Sequence, residues 1–130
     1  MLFDTAFLID LMRGDEAAVE RMCELESQFV RQRISAMTLF ELYYGVARSN
    51  QPDDERETVE KVLETKPVQP ADTAVMRRAG RVSGELENDG TPVADGDVII
   101  GATALTVDEA VLTRNLADFE RMPGVTVETY

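Results

Sequence analysis

Apolar residues fall in short bursts followed by helical spacings, and this rhythm recurs along the chain. Leu2 and Phe3 lead to Asp4, after which Phe7, Leu8, Leu11 and Met12 repeat three or four apart until Arg13-Gly14, a helix stop. A strand feeding a helix is predicted. Asp15 can cap a second helix through Val19, Met22, Leu25 and Phe29 that ends near Arg31. Arg33 to Met37 reads as a buried strand, and Thr38 then opens a helix from Leu39 to Arg48. Ser49 to Asp54 is a polar loop before an acidic helix from about Asp53 to Glu64, and Lys66 to Pro70 is extended, with prolines that suit a sheet edge. Further helices are expected from Asp72 to Glu87 and from Asp97 to Leu105. Ala110 to Thr113 reads as a buried strand, Leu116 to Arg121 as a helical turn, and Val125 to Val127 as a last strand. Strands separated by helices predict one α/β domain over residues 1–130, a three-layer α/β/α sandwich with a mainly parallel sheet.

Composition narrows the chemistry. Lys plus Arg total 13 against 25 Asp plus Glu, a formal charge of −12 that rules out a general basic clamp on nucleic acid. There is no histidine, which removes Ser-His-Asp triads, Cys-His nucleophiles and HExxH zinc sites together. Chemistry must then run on carboxylates, hydroxyls or a bound metal. Cys23 stands alone, with no partner for an intramolecular disulfide or a cysteine cluster, which fits a reducing cytoplasmic setting. The start, MLFDTAFLID, carries acids and no basic segment, so it does not read as a signal peptide. The longest apolar run, Val98 to Val107, is too short to cross a membrane. Only Lys61 and Lys66 are lysines, and low Lys among many acids fits either a salt-loaded, halophilic cytoplasm, where the Debye length falls to ~3 Å at 1 M, or an ordinary acidic bacterial protein.

The positions of the acids matter more than their number. In an open parallel sheet, ligands bind beyond the carboxyl ends of the strands. Asp4 ends the first strand. Glu41 lies one turn into the helix after the second, with Thr38 and Gly45 on its face, while Asp97 precedes the Val111 strand and Asn115 and Asp118 follow it. Converging carboxylates repel unless a cation lies between them, and oxygen-only ligands suit Mg²⁺ or Mn²⁺. In a chain this acidic some acids reach strand ends by chance, and Asp95 or Asp97 could simply cap a helix. Asp4 and Glu41 stand among apolar neighbours, where an unpaired carboxylate is costly, and that favours a metal role for both. Tyr43 and Tyr44 read as packing residues rather than nucleic-acid stacking platforms, and Arg77, Arg78 and Arg81, a basic stripe that could meet phosphate, read first as ion-pair partners for the acids.

Four ordered segments, Asp4-Thr5-Ala6-Phe7-Leu8-Ile9, Ser35 to Gly45, Asp97 to Ala104 and Leu112 to Phe119, resemble the motifs of PIN-domain ribonucleases, most nearly the VapC-type toxins of toxin–antitoxin pairs. Ala6 and Asn115 depart from the commonest pattern, which has a polar residue at the first position and often a fourth acid at the second. The resemblance implies a metal-dependent ribonuclease in which Asp4, Glu41 and Asp97 are the catalytic, metal-holding acids. Cleavage would leave a 5′-phosphate and a 3′-hydroxyl, with Mg²⁺ or Mn²⁺ activating water. Thr5, Thr38 and Thr113 sit beside these acids and could orient water or a phosphate oxygen, although Thr38 reads first as a helix cap. Asn115 could add a neutral oxygen, and Asp118, about one turn on, could supply the missing charge or lie in solvent beside Phe119. The implied partners are RNA, a small antitoxin that places an Arg or Lys against the acids, and a second copy of the chain.

Three rivals remain at this level. A phospho-receiver needs a late lysine, and none follows Lys66. A haloacid-dehalogenase-type phosphatase needs a second Asp two residues after Asp4, where Ala6 stands. A PIN fold kept as a non-catalytic interaction module, or as an RNA-processing enzyme outside toxin–antitoxin pairs, would keep most of the same residues.

Overall fold

β1 is only Leu2–Phe3, yet it holds the centre of a five-stranded sheet. The computed structural model describes residues 1–130. After β1 come α1 (Thr5–Met12), α2 (Glu16–Ser27), β2 (Arg33–Ser35), α3 (Ala36–Arg48) and α4 (Pro52–Leu63). Then follow β3 (Val68–Gln69), α5 (Thr73–Asn88), α6 (Asp95–Val107), β4 (Val111–Leu112), α7 (Leu116–Glu120) and β5 (Val127–Glu128). Strand order is β3-β2-β1-β4-β5 and every pairing is parallel, so β3 is the edge its prolines suggested.

The strands are short, but their alternation builds two cores. Leu2 and Val111 point into one, with Val75, Ala79, Ile100 and Phe119 of α5, α6 and α7. Phe3, Ile34 and Leu112 point into the other, with Phe7, Leu25, Leu42 and Val59 of α1 to α4. Period-two side chains on a sheet covered on both faces require this three-layer arrangement. Each fully buried Phe or Leu contributes about 1.5–3 kcal/mol. α6 runs close to the chain beyond α7 because Gly101 has no side chain: a Cβ there would lie 2.5 Å from Met122 Cε.

Several boundaries differ from the sequence-based expectation. α2 stops at Ser27, and Phe29 takes a positive φ of 55° with its ring 94% exposed, so the buried stripe is Ala18, Met22 and Leu25 rather than one running through Val19 to Phe29. α3 begins at Ala36 because the Ser35 hydroxyl accepts the Met37 N–H at 3.0 Å; Thr38 is therefore inside the helix and is not its cap. Neither Asp95 nor Asp97 caps α6, whose N-cap position is Ala94. The last strand pairs through Val127 and Glu128, later than Val125-Thr126. Tyr43 and Tyr44 are both exposed, at 40% and 58%, and are not packing residues.

No helix is long and apolar enough to cross a membrane. With −12 on 130 residues, self-repulsion opposes compaction at low ionic strength. Tm is therefore expected to climb with KCl well beyond the ~0.1 M at which long-range screening is already substantial. A flat Tm from low to molar salt would reject this, and with it the halophilic reading.

Candidate active site

The carboxyl ends of the central strands gather the acids from four separate segments. Asp4 leaves β1 and is 2% exposed, held at both oxygens: Oδ1 accepts the Thr5 N–H at 2.8 Å and Oδ2 accepts the Thr113 hydroxyl at 2.6 Å. Asp4 also caps α1, which ties its orientation to the helix start. Thr113 is in turn fixed by the Asn115 N–H at 2.9 Å. Thr5 reaches the other way, its Oγ1 lying 2.8 Å from Glu41 Oε1 and 3.1 Å from Thr38 Oγ1. One α1 residue thus links the acid of β1 to the acid of α3.

Asp97 enters from the first turn of α6. Its pKa is pushed up to about 7, first by burial, then by the charges of Asp4, Asp118 and Glu41 and by a hydrogen bond with Asp118. Asp4 is also raised, mainly by burial and in part by Glu41, against the opposing hydrogen bonds from Thr113 and Thr5. These shifts place the four acids in one electrostatic unit. Next to Asp97 on α6 is Gly96, where a Cβ would stand 3.2 Å from Glu41 Oε2. The backbone of α6 can approach the Glu41 carboxylate because no side chain intervenes. Sequence reasoning passed over Gly96; its position between two acids was the one available signal.

The remaining candidates divide. Thr5, Thr38 and Thr113 are buried; Thr5 and Thr113 donate to Glu41 and Asp4, whereas Thr38 meets only the Thr5 hydroxyl. Asp118 lies in the first turn of α7 with its side chain 41% exposed, between Asp97 and Arg121, whose Nη1 is 3.8 Å away. Asn115 is exposed, and its side chain makes no cap to α7. Asp95 is not part of the group: two residues before Asp97 on a helix is more than half a turn away, and Asp95 is exposed in a separate cleft with Met76 and Ser83 of α5.

The donor set fits a hard divalent cation. All available ligands are oxygens, and burial together with the repulsion of Asp4, Asp118 and Glu41 has raised Asp97; a cation would relieve the repulsion. No three acidic side chains are already arranged as a closed cage. The carboxylates sense one another across a space that side-chain rotation would have to tighten.

Comparison with known proteins agrees with this geometry. The PIN domain family matches residues 1–125. Over 100 residues, 77% of this chain and 76% of the other, the sequence is 36% identical to the tRNA(fMet)-specific endonuclease VapC of Salmonella typhimurium. It is 28% identical to the protein of that name from Shigella flexneri over 99% of this chain and 96% of the other. The crystal structure of DNA-bound VapBC from Salmonella typhimurium superposes with a TM-score of 0.89 at 33% identity, covering 98% and 96% of the two chains. The chain belongs to the PIN domain family and, within it, to the VapC ribonucleases. The receiver and dehalogenase alternatives fall away.

Proposed function

We propose that this chain is a divalent-metal-dependent endoribonuclease, the toxin of a toxin–antitoxin pair, with Asp4, Glu41, Asp97 and Asp118 as its metal-holding centre. The observation that carries the reading is the convergence of these acids from β1, α3, α6 and α7, expressed in the raised pKa of Asp97. The VapC names of the relatives supply the reaction class and the VapBC complex supplies the antitoxin partner. Bound between the acids, Mg²⁺ or Mn²⁺ would lower the pKa of a water and offset charge on the phosphate.

The chain's own residues do the rest. Thr113 and the Thr5 N–H hold Asp4 in one orientation, and the Thr5 hydroxyl does the same for Glu41. In hydrolysis a water oxygen bonds to phosphorus, the P–O3′ bond breaks, and O3′ takes up a proton, leaving a 5′-phosphate and a 3′-hydroxyl. Asp97, its pKa pushed up to about 7 when no cation is present, would tie metal loading to pH. We place the reaction in the cytoplasm, where the RNA is and where the exposed Cys23 stays reduced.

The surplus of negative charge also defines the inhibitor. An antitoxin segment that laid an Arg or Lys against the four acids would relieve their repulsion and compete with the metal. The purified toxin–antitoxin complex, in which the toxin is expected to be a homodimer, should therefore cleave RNA far more slowly than the free toxin, and excess Mn²⁺ should restore part of the rate. A complex as active as the free chain would remove inhibition at this site. Cleavage of RNA by the free chain with Mn²⁺ and not with EDTA tests the enzyme itself.

A further inference from the structure

Beside Glu41 the structure leaves an aromatic surface that the four-acid centre does not use. Phe40 is 63% and Tyr44 58% exposed, one turn apart on α3, with ring centroids 6.5 Å apart and planes within 20°. The Arg48 guanidinium lies 5.7 Å from the Tyr44 ring centroid. By contrast Phe3, Phe7 and Phe119 are fully buried. Helical spacing puts Phe40, Tyr44 and Arg48 in a row along the solvent edge of α3, and Glu41 borders that row.

We propose that Phe40, Tyr44 and Arg48 form a base-stacking subsite for single-stranded RNA, holding a nucleotide that flanks the scissile phosphate. This deepens the nuclease reading and rests on it. The substrate backbone must pass Glu41 to be cut, so a neighbouring base comes within reach of the next residues on the same helix face. An unpaired base has two apolar faces, and stacking on an aromatic ring is tolerant of sequence. The charge of the chain adds a reason: with −12 overall, long-range attraction cannot gather a polyanion, so affinity must come from contacts that do not depend on net charge. Arg48, stacked on the ring, leaves its N–H groups free for a phosphate oxygen. Two adjacent exposed rings suit one or two stacked bases. A stable protein partner needs ~800 Å² per side.

The test uses the free chain in EDTA, so that binding is read without cleavage, and fluorescence anisotropy of an oligoadenylate dodecamer against the same backbone with abasic sites. Tyr44→Ala and Phe40→Ala should each weaken oligoadenylate binding about tenfold, as expected for one lost stacking contact. Both should leave abasic binding unchanged, and Tyr44→Phe should retain wild-type affinity. Arg48→Gln should lower the slope of log K against log salt by about 0.7, one phosphate contact on a single strand. With Mn²⁺ present, Tyr44→Ala should raise KM and spare kcat. Equal binding of the two oligonucleotides by the wild type would overturn the proposal. So would a Tyr44→Ala chain that binds RNA normally but no longer forms a dimer in sedimentation, or no longer responds to antitoxin, since either would make this face a protein contact. If the wild type cleaves RNA and Tyr44→Ala is unchanged, only the subsite falls; if the wild type does not cleave with Mn²⁺, the nuclease reading falls and takes the subsite with it.

Discussion

Replacing Asp97 with Asn is expected to reduce Mn²⁺-stimulated cleavage by ~10²-fold or more, the loss of several kcal/mol of charge stabilisation, while making the metal-free protein more stable at neutral and higher pH. The two effects share a cause. Asp97 sits half-buried against Asp4, Asp118 and Glu41, so its ionised form is disfavoured and its pKa rises from 3.8 to about 7. A group whose folded pKa is raised contributes stability that is complete below its unfolded pKa and is lost as pH rises through the folded one. For Asp97 the loss therefore runs from about pH 4 to about pH 7. The amide carries no charge to repel, so Asp97→Asn should melt higher than wild type at pH ~8 and equally at pH ~4, by a modest margin because solvent reaches the side chain. Mn²⁺ should close the gap by stabilising only the wild type. A fully active Asp97→Asn chain would remove Asp97 from the centre. A melting gain that is the same at both pH values would mean that the amide acts through something other than charge.

Asp4→Asn should lose activity alike but gain less stability. Both Asp4 oxygens already accept hydrogen bonds, and an amide offers only one acceptor, so its NH₂ must face either the Thr5 N–H or Thr113. The Thr113 hydroxyl can reverse and accept, at the cost of the proton it now gives to Asp4. Relief of repulsion at Asp4 is thus partly offset by a rearranged hydrogen bond.

Asp4 and Glu41 were legible as candidates because each stands in an apolar run whose period names its element, whereas Asp97, behind Asp95-Gly96, was a candidate by its place before the Val111 strand and by the family resemblance. Leu2-Phe3 before Asp4 and Leu39-Phe40 before Glu41 place a carboxylate where burial makes it expensive unless something offsets the charge. The parallel sheet followed from the same rhythm, although its strands are two or three residues long. What sequence could not decide was which of two similar residues takes a role. Ser35 and Thr38 are both good caps, and the choice of Ser35 freed Thr38 to meet Thr5 across a helix contact that no local pattern encodes. Asp95 and Asp97 differ by two positions, and only the rotation of α6 against α3 and α5 sends one toward Glu41 and the other into a separate cleft. The packing expected of Tyr43 and Tyr44 failed for a related reason. Their spacing fits either face of α3, and the buried face was already filled by Thr38, Leu42 and Val46.

Asp118→Ala is expected to raise the Mn²⁺ concentration for half-maximal cleavage by about tenfold, the lower end of what losing a residue that supports a metal ligand costs. Sequence alone left Asp118 evenly placed between a site residue and a solvated one. The structure sets it near enough to Asp97 that its charge helps to raise the Asp97 pKa, after burial and the charge of Asp4. Asn115, at the position where a fourth acid is common in the resembling family, is exposed, and Asp118 is the acid we propose in its place. Its side chain is 41% exposed and its salt bridge to Arg121 is 3.8 Å long, so removing it should barely change Tm; exposed pairs of this kind contribute about 0–1 kcal/mol. Without Asp118, Asp97 loses one of the charges and the hydrogen bond that raise its pKa, so the pH at which Mn²⁺ loads should fall even as its affinity above that pH weakens. Asn115→Asp, which adds a carboxylate at the same rim, should shift the Mn²⁺ requirement down by a smaller factor. Titration of Mn²⁺ against initial cleavage rate at two pH values measures all of these. An unchanged Mn²⁺ midpoint in Asp118→Ala would leave a centre of three acids, Asp4, Glu41 and Asp97, with Asp118 only a neighbour.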